Sequence, residues 1–250
     1  MRVIINADDF GFSPAVNAAI ADLLRQGGLT SATLLATAPA FSEAVELSRA
    51  WPGCSFGVHL CLTAFPPLTN TEVFRQAGLL GGDGCFNGRI RAIRPSRRAL
   101  LAIRDEWCAQ VARVQETGVL VSHLDSHHHV HTIPWLFPAL KAVQRRCGIR
   151  RVRLSANLYA PTYHPPALRR ASKALWNACL RRILVTRTTD YFGPVAVFDA
   201  LASQGRLPSA TSTYELMAHP GHAAYDGETA ILMRAPTWLR AGIVCGYSEL

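Results

Sequence analysis

The sequence predicts an α/β fold, a single-domain TIM-like (β/α) barrel with about seven parallel strands. Short apolar runs alternate with helix-patterned stretches along the whole chain. Seven or so such units in 250 residues suit a barrel, with room for irregularity, better than a doubly wound sheet. No internal repeat or linker-like stretch divides the chain, and 49% hydrophobic content is enough for one core.

The elements follow in order. Val3–Ala7 is a short apolar run of the kind a buried parallel strand needs. Ser13 and Pro14 form a helix start, Val16, Ile20, Leu23 and Leu24 recur at helical spacing, and Gly27-Gly28 stops the helix. Ala32–Thr37 reads as a strand, Ser42–Ala50 as a helix and Ser55–Leu62 as a third strand. Residues 63–95, rich in Pro, Gly and Thr, are too long for a simple connector and read as a loop insertion that can act as a lid. Ser96 caps a helix with an apolar face of Leu100, Ile103, Trp107, Val111 and Val114, ended by Gly118. Strand Val119–Asp125, helix Pro134–Arg146, strand Arg151–Ser155 and the Arg-rich helix Ala167–Leu184 come next. Strand Thr189–Phe192, helix Val195–Gln204, strand Thr213–His219 and helix Ala230–Ala241 complete the alternation.

Charge and composition exclude several classes. Only 17% of residues are charged and the apolar content is ample, so the chain is not disordered. No apolar run approaches the roughly 18 residues of a transmembrane helix. The first residues turn acidic where a signal peptide stays apolar, so a cytoplasmic location is expected. The seven cysteines are scattered with no Cys-x-x-Cys and read as reduced, mostly buried side chains. The net charge of +9 is uneven: twelve basic residues and no acid lie between Asp125 and Asp190, which leaves the rest of the chain at −3. Such a stretch raises an anionic partner, nucleic acid included, against the plainer reading of a solvated Arg-rich surface. No zinc-finger spacing or RNA-recognition motif accompanies it, so no nucleic-acid partner is expected.

Four constellations carry chemistry. Asn6-Ala7-Asp8-Asp9-Phe10-Gly11 puts two carboxylates at the end of the first strand, where α/β active sites form. One Asp would suffice to cap the helix from Pro14; two together can divide labour between metal ligation and proton transfer. In His123-Leu124-Asp125-Ser126-His127-His128-His129-Val130-His131, residues 123, 125, 127, 129 and 131 share one face if the chain stays extended. Imidazoles with a carboxylate suit zinc, and equally iron, manganese, cobalt or nickel. His59, alone in an apolar strand, would by itself be a core residue, but joins the site if the strand ends nearby. His219, where a late strand meets Pro220-Gly221, is a candidate general acid, with His222 peripheral to it.

These motifs, with Gly57-Val58-His59-Leu60, Glu215-Leu216-Met217-Ala218-His219-Pro220 and the terminal Gly246-Tyr247-Ser248-Glu249-Leu250, resemble the YdjC-like carbohydrate deacetylase family in order and over nearly the whole chain. That family includes deacetylases of the ChbG type, acting on chitooligosaccharides, and of the hopanoid-associated HpnK type. The resemblance implies a deformed (β/α) barrel and one divalent metal ion, magnesium or zinc. It implies Asp9, His59 and His127 as metal ligands, Asp8 as general base, His219 as general acid and Arg153 as a substrate-binding residue, with a homodimer as a possible assembly. Asp125 is the candidate that orients one of the histidines. The implied substrate is an acetylated sugar or glycolipid, from which an N-acetyl group is hydrolysed. Two alternatives stand beside it: a metal hydrolase of another ester or phosphate on the same barrel, or an anion-binding protein using residues 126–189. The chain departs from the family pattern at Ala230–Pro236 and between Gly81 and Ser96.

Overall fold

A computed structural model describes residues 1–241 and 243–250, with the side chains of 240 and 241 left out. The chain runs β1 (Arg2–Phe10), α1 (Pro14–Arg25), β2 (Ser31–Leu34), α2 (Phe41–Ser48), β3 (Ser55–Leu60), α3 (Thr71–Gln76), α4 (Arg97–Gln115), β4 (Val121–Ser126) and α5 (Phe137–Cys147). It continues through α6 (Ala167–Arg182), β5 (Tyr191–Pro194), α7 (Val195–Ser203), β6 (Thr213–Ala218), α8 (Asp226–Met233), α9 (Thr237–Ala241) and β7 (Ile243–Val244). All strand pairings are parallel, in the order β4-β3-β2-β1-β6-β5, with β7 added beside the start of β1. The result is a curled, deformed (β/α) barrel. Among the described residues, no helix is long and apolar enough to cross a membrane.

The barrel is deformed where a regular strand is missing. Residues 151–155 form only single bridges, Val152 to Leu124 and Arg151 to Arg187, instead of the expected strand. Leu154 and Val152 are still buried in the core, so the apolar pattern reported burial rather than strand pairing. The expected last helix, Ala230–Ala241, is two helices. Ala235 has φ +46° and Pro236 follows, and a proline cannot continue the helical hydrogen-bond ladder. Residues 63–95 contain α3 and a 3₁₀ turn at Arg89–Arg91, and Phe74, Phe86 and Ile90 anchor them in the core. Glu106 of α4 accepts hydrogen bonds from the backbone N–H groups of Leu68 and Thr69, fixing the base of that insertion.

The helix caps form as the sequence indicates. Ser13 and Ser96 each accept from a backbone N–H three residues on, at 3.3 and 3.2 Å. Inside the barrel, Gly57 answers a close approach: a Cβ there would stand 2.5 Å from the His123 ring. His123 in turn stacks on Tyr247 at 3.6 Å between ring centroids, so the C-terminal segment plugs the barrel interior.

Candidate active site

The two adjacent carboxylates face one cleft because β1 bulges. Its register with β2 slips between Ala7 and Phe10, and Asp9 takes φ +67°, a left-handed conformation that an Asp tolerates better than most residues. On a regular strand Asp8 and Asp9 would point to opposite faces. The bulge turns both into a cleft of about 960 Å³ at the carboxyl ends of the strands. His59, His127, His128, His129, His219, His222, Phe12, Tyr225 and Arg91 also line it.

Asp9 is surrounded by imidazoles. Its Oδ1 lies 2.8 Å from His127 Nδ1 and 3.2 Å from His59 Nε2. Its Oδ2 lies 3.2 Å from His222 Nε2, without hydrogen-bond geometry. Burial alone would raise the Asp9 pKa, but the imidazoles of His127, His222 and His59 around it hold it well below the usual carboxylate range. His59 is anchored from behind: Asp125 Oδ1 sits 2.8 Å from its Nδ1, and Thr33 Oγ1 donates to Asp125 Oδ2 at 3.1 Å. Burial would lower the His59 pKa, yet the Asp125 charge and the hydrogen bonds to Asp125 and Asp9 push it well above the ordinary value.

This set fits a divalent cation. One donor atom each from Asp9, His59 and His127 lies within 4.8 Å of the others. Two imidazole nitrogens and a carboxylate oxygen suit a borderline divalent ion, and the Asp125–His59 pair leaves Nε2 aimed at the cluster. The charge balance agrees. Asp8, Asp125 and Glu215 share the one buried guanidinium of Arg153, and Asp9 has imidazoles alone around it.

Asp8 has the opposite surroundings. Arg153 donates to both its oxygens, Nη1 to Oδ2 and Nη2 to Oδ1, each at 2.7 Å, and Asn6 Nδ2 donates to Oδ1 at 2.9 Å. Although burial would raise the Asp8 pKa, the charge and hydrogen bonds of Arg153 keep it far below the usual range. Arg153 has 0% exposure. Its Nε donates to Glu215 Oε1 at 2.6 Å, and its Nη1 lies 2.8 Å from Asp125 Oδ2. The expected substrate-binding arginine is therefore sealed beneath the cleft and engaged with three carboxylates. Burial pushes the Glu215 carboxyl up to about 7, against the pull of Arg153 and a hydrogen bond from the Tyr247 hydroxyl.

His219 stands across from Asp8, its Nε2 3.9 Å from Asp8 Oδ2. Its Nδ1 lies 3.2 Å from Glu228 Oε2, which also accepts from the His219 backbone N–H at 3.0 Å, and its ring stacks on Tyr225. Burial works against protonation, but Glu228 and Asp8 outweigh it and raise the His219 pKa.

The extended face expected for residues 123–131 breaks at Ser126. From His127 the chain turns through a 3₁₀ segment in which His128 and His129 have φ near +54°. His127, His128 and His129 reach the cleft, with burial lowering His128 to about 4 and His129 to about 3. His123 instead packs inside the barrel, and His131 is buried against Ser126 and the Arg153 carbonyl. His222, expected at the periphery, is in the cleft beside Asp9. Glu228 was not anticipated, since an acid in the first turn of a surface helix has the pattern of an ordinary dipole partner.

The chain is similar to several known proteins. A family model described as YdjC-like protein matches residues 2–238. A carbohydrate deacetylase of Geobacillus stearothermophilus is 38% identical over 161 residues, covering 64% of this chain and 63% of that protein. A carbohydrate deacetylase of Vibrio campbellii is 37% identical over 166 residues, covering 66% of this chain and 64% of that one. The matched stretches thus span less than two thirds of the length of these curated relatives. A crystal structure from Enterococcus faecalis V583, of a protein provisionally named for cellobiose-phosphate cleavage, has a TM-score of 0.73 at 24% identity, covers 99% of this chain and 98% of its own, and shares the fold. With a family match over almost its whole length, the chain belongs to the YdjC-like family.

Proposed function

We propose that this protein hydrolyses the N-acetyl group of an acetamido sugar, using one divalent metal ion. The observation that carries the reading is the opposition, across one cleft, of the Asp9–His59–His127 donor cluster and the Asp8–His219 pair. The naming of similar proteins as carbohydrate deacetylases supports the substrate class.

A divalent cation, magnesium or zinc, held by Asp9, His59 and His127 would supply Lewis acidity to the amide carbonyl and acidify a nearby water. Asp125 keeps His59 in one tautomer and one orientation. Asp8, ionised throughout the neutral range, accepts the proton of the attacking water as its oxygen bonds to the carbonyl carbon. Arg153 holds Asp8 in place through both carboxylate oxygens, so its role is positioning rather than substrate contact. A carboxylate held this low keeps the proton only transiently. His219, whose proton Glu228 and Asp8 stabilise, protonates the nitrogen as the C–N bond breaks, because an amide nitrogen leaves poorly as an anion. The products are acetate and the free amine.

A phosphate ester fits this cleft less well. Four buried carboxylates surround its floor, and Arg153 is engaged with three of them and sealed away from it. The test is acetate release from a panel of N-acetylglucosamine compounds by the metal-loaded protein. Release abolished by chelation is expected. No acetate from any member, with turnover of a phosphate or carboxylic ester instead, would replace the reading.

A further inference from the structure

We propose that α6 and the turn after it form a docking surface for an anionic phospholipid membrane. The helix leaves much of its apolar surface uncovered. Of its three leucines only Leu180 is buried, while Leu168 is 83% and Leu175 67% exposed. Leu168, Ala171 and Leu175 follow i, i+3, i+7 spacing and make one outward ridge. The chain then leaves α6 through Ile183-Leu184-Val185, three consecutive exposed apolar residues. Leu184 and Val185 have φ +59° and +44°, so this turn presents apolar side chains at a backbone cost. Six of the twelve exposed large hydrophobics among the described residues fall between Tyr163 and Val185. A concentration of this kind marks an interaction site rather than scattered surface.

The flanks of the ridge name the occupant. One side of α6 borders a groove of about 520 Å³ lined by Arg170, Lys173, Arg181 and Arg206 with Tyr159 and Tyr163. The other side borders an apolar groove of about 600 Å³ lined by Phe137, Leu175, Trp176 and Ile183. Arg169 and Lys173 hydrogen-bond a tyrosine hydroxyl and a carbonyl, and no acid occurs between Asp125 and Asp190 to neutralise the patch. An isologous dimer through this face would oppose like charges. Apolar side chains rimmed by long cationic ones, with no acid among them, instead match the acyl boundary and the anionic headgroups of a bilayer.

The test is sedimentation of the full chain with vesicles of phosphatidylcholine alone or mixed with phosphatidylglycerol. Binding to the mixed vesicles, weak binding to the neutral ones and loss with added salt are expected. A Leu175→Ser, Leu184→Ser, Val185→Ser variant should bind at least about tenfold more weakly. Each of Arg169→Gln, Arg170→Gln and Lys173→Gln should cost about fivefold. Unchanged circular dichroism and unchanged acetate release from a soluble substrate serve as controls for folding. The proposal is overturned by equal or absent association with the two vesicle types, or by binding that the triple variant leaves intact. It is overturned equally by a patch-dependent dimer in light scattering, or by nucleic acid that displaces the vesicles. Vesicle binding is read without turnover, so its failure is distinct from failure of the deacetylase reading.

Discussion

Asp8 and Asp9 are neighbours on one bulged strand, yet each organises a different half of the cleft. Asp9 meets three imidazoles, groups that exchange a proton for a cation readily. Asp8 meets a guanidinium that does not lose its proton and cannot be displaced by an ion. Burial would raise both carboxyl pKa values, and both are held low, one by histidines and one by arginine. The difference teaches that the cleft has an exchangeable half, suited to a metal, and a permanent half, suited to holding one carboxylate ionised and still.

That division can be broken in four ways. Asp8→Asn should lower kcat by about 10²–10⁴-fold, while metal content, read by elemental analysis, stays at the wild-type level. Concurrent loss of metal would merge the two halves into one. Arg153→Met leaves Asp8, Asp125 and Glu215 buried without their cation and should cost about 3–5 kcal/mol in urea unfolding. The pH dependence follows from Asp8, whose folded pKa is depressed below its ordinary value of 3.8. Its contribution is present above that value and is lost as pH falls toward the folded pKa. The gap between wild type and Arg153→Met should therefore narrow as pH falls, beginning above about pH 4 because burial without the guanidinium raises these carboxyl pKa values in the variant; a constant gap would contradict the charge argument.

Asp125→Asn tests the exchangeable half from behind. Metal affinity by calorimetry should weaken about 10–100-fold, with a smaller change in kcat once metal is saturating. Glu228→Gln should have the smallest effect at low pH. Glu228 helps raise the His219 pKa above 6.5, so removing its charge lowers it. The active, protonated form is then lost earlier as pH rises, and the alkaline limb of kcat/KM moves to lower pH with metal content unchanged. An unmoved limb would detach His219 from proton donation.

Legibility differed between the halves for a physical reason. In the Asp9 half the paired carboxylates and the dense His tract stood out in the sequence, whereas His59, alone in an apolar strand, read by itself as a core residue and joined the site only through its place near a strand end beside the other motifs. The Asp8 half was legible only in part: Asp8 and His219 stood out at strand ends, but the groups that hold them did not. Arg153 resembled a substrate contact, and only the structure shows its guanidinium turned down onto Asp8, a residue 145 positions away, and onto Glu215. Glu228 and His222 gave no usable signal, since each acquires its role from a neighbour brought in by the fold.

The sequence by itself determined the alternation of strands and helices, the caps at Ser13 and Ser96 and the parallel barrel class. Each of these is written in spacing or residue type within a short window. Tertiary structure alone decided the bulge that turns Asp8 and Asp9 to one face, the irregular 151–155 segment that deforms the barrel, and the break in the last helix at Ala235-Pro236. It also decided which buried charges meet. Periodicity records whether a side chain is buried, whereas the partner it meets there is set by register between strands far apart in the chain.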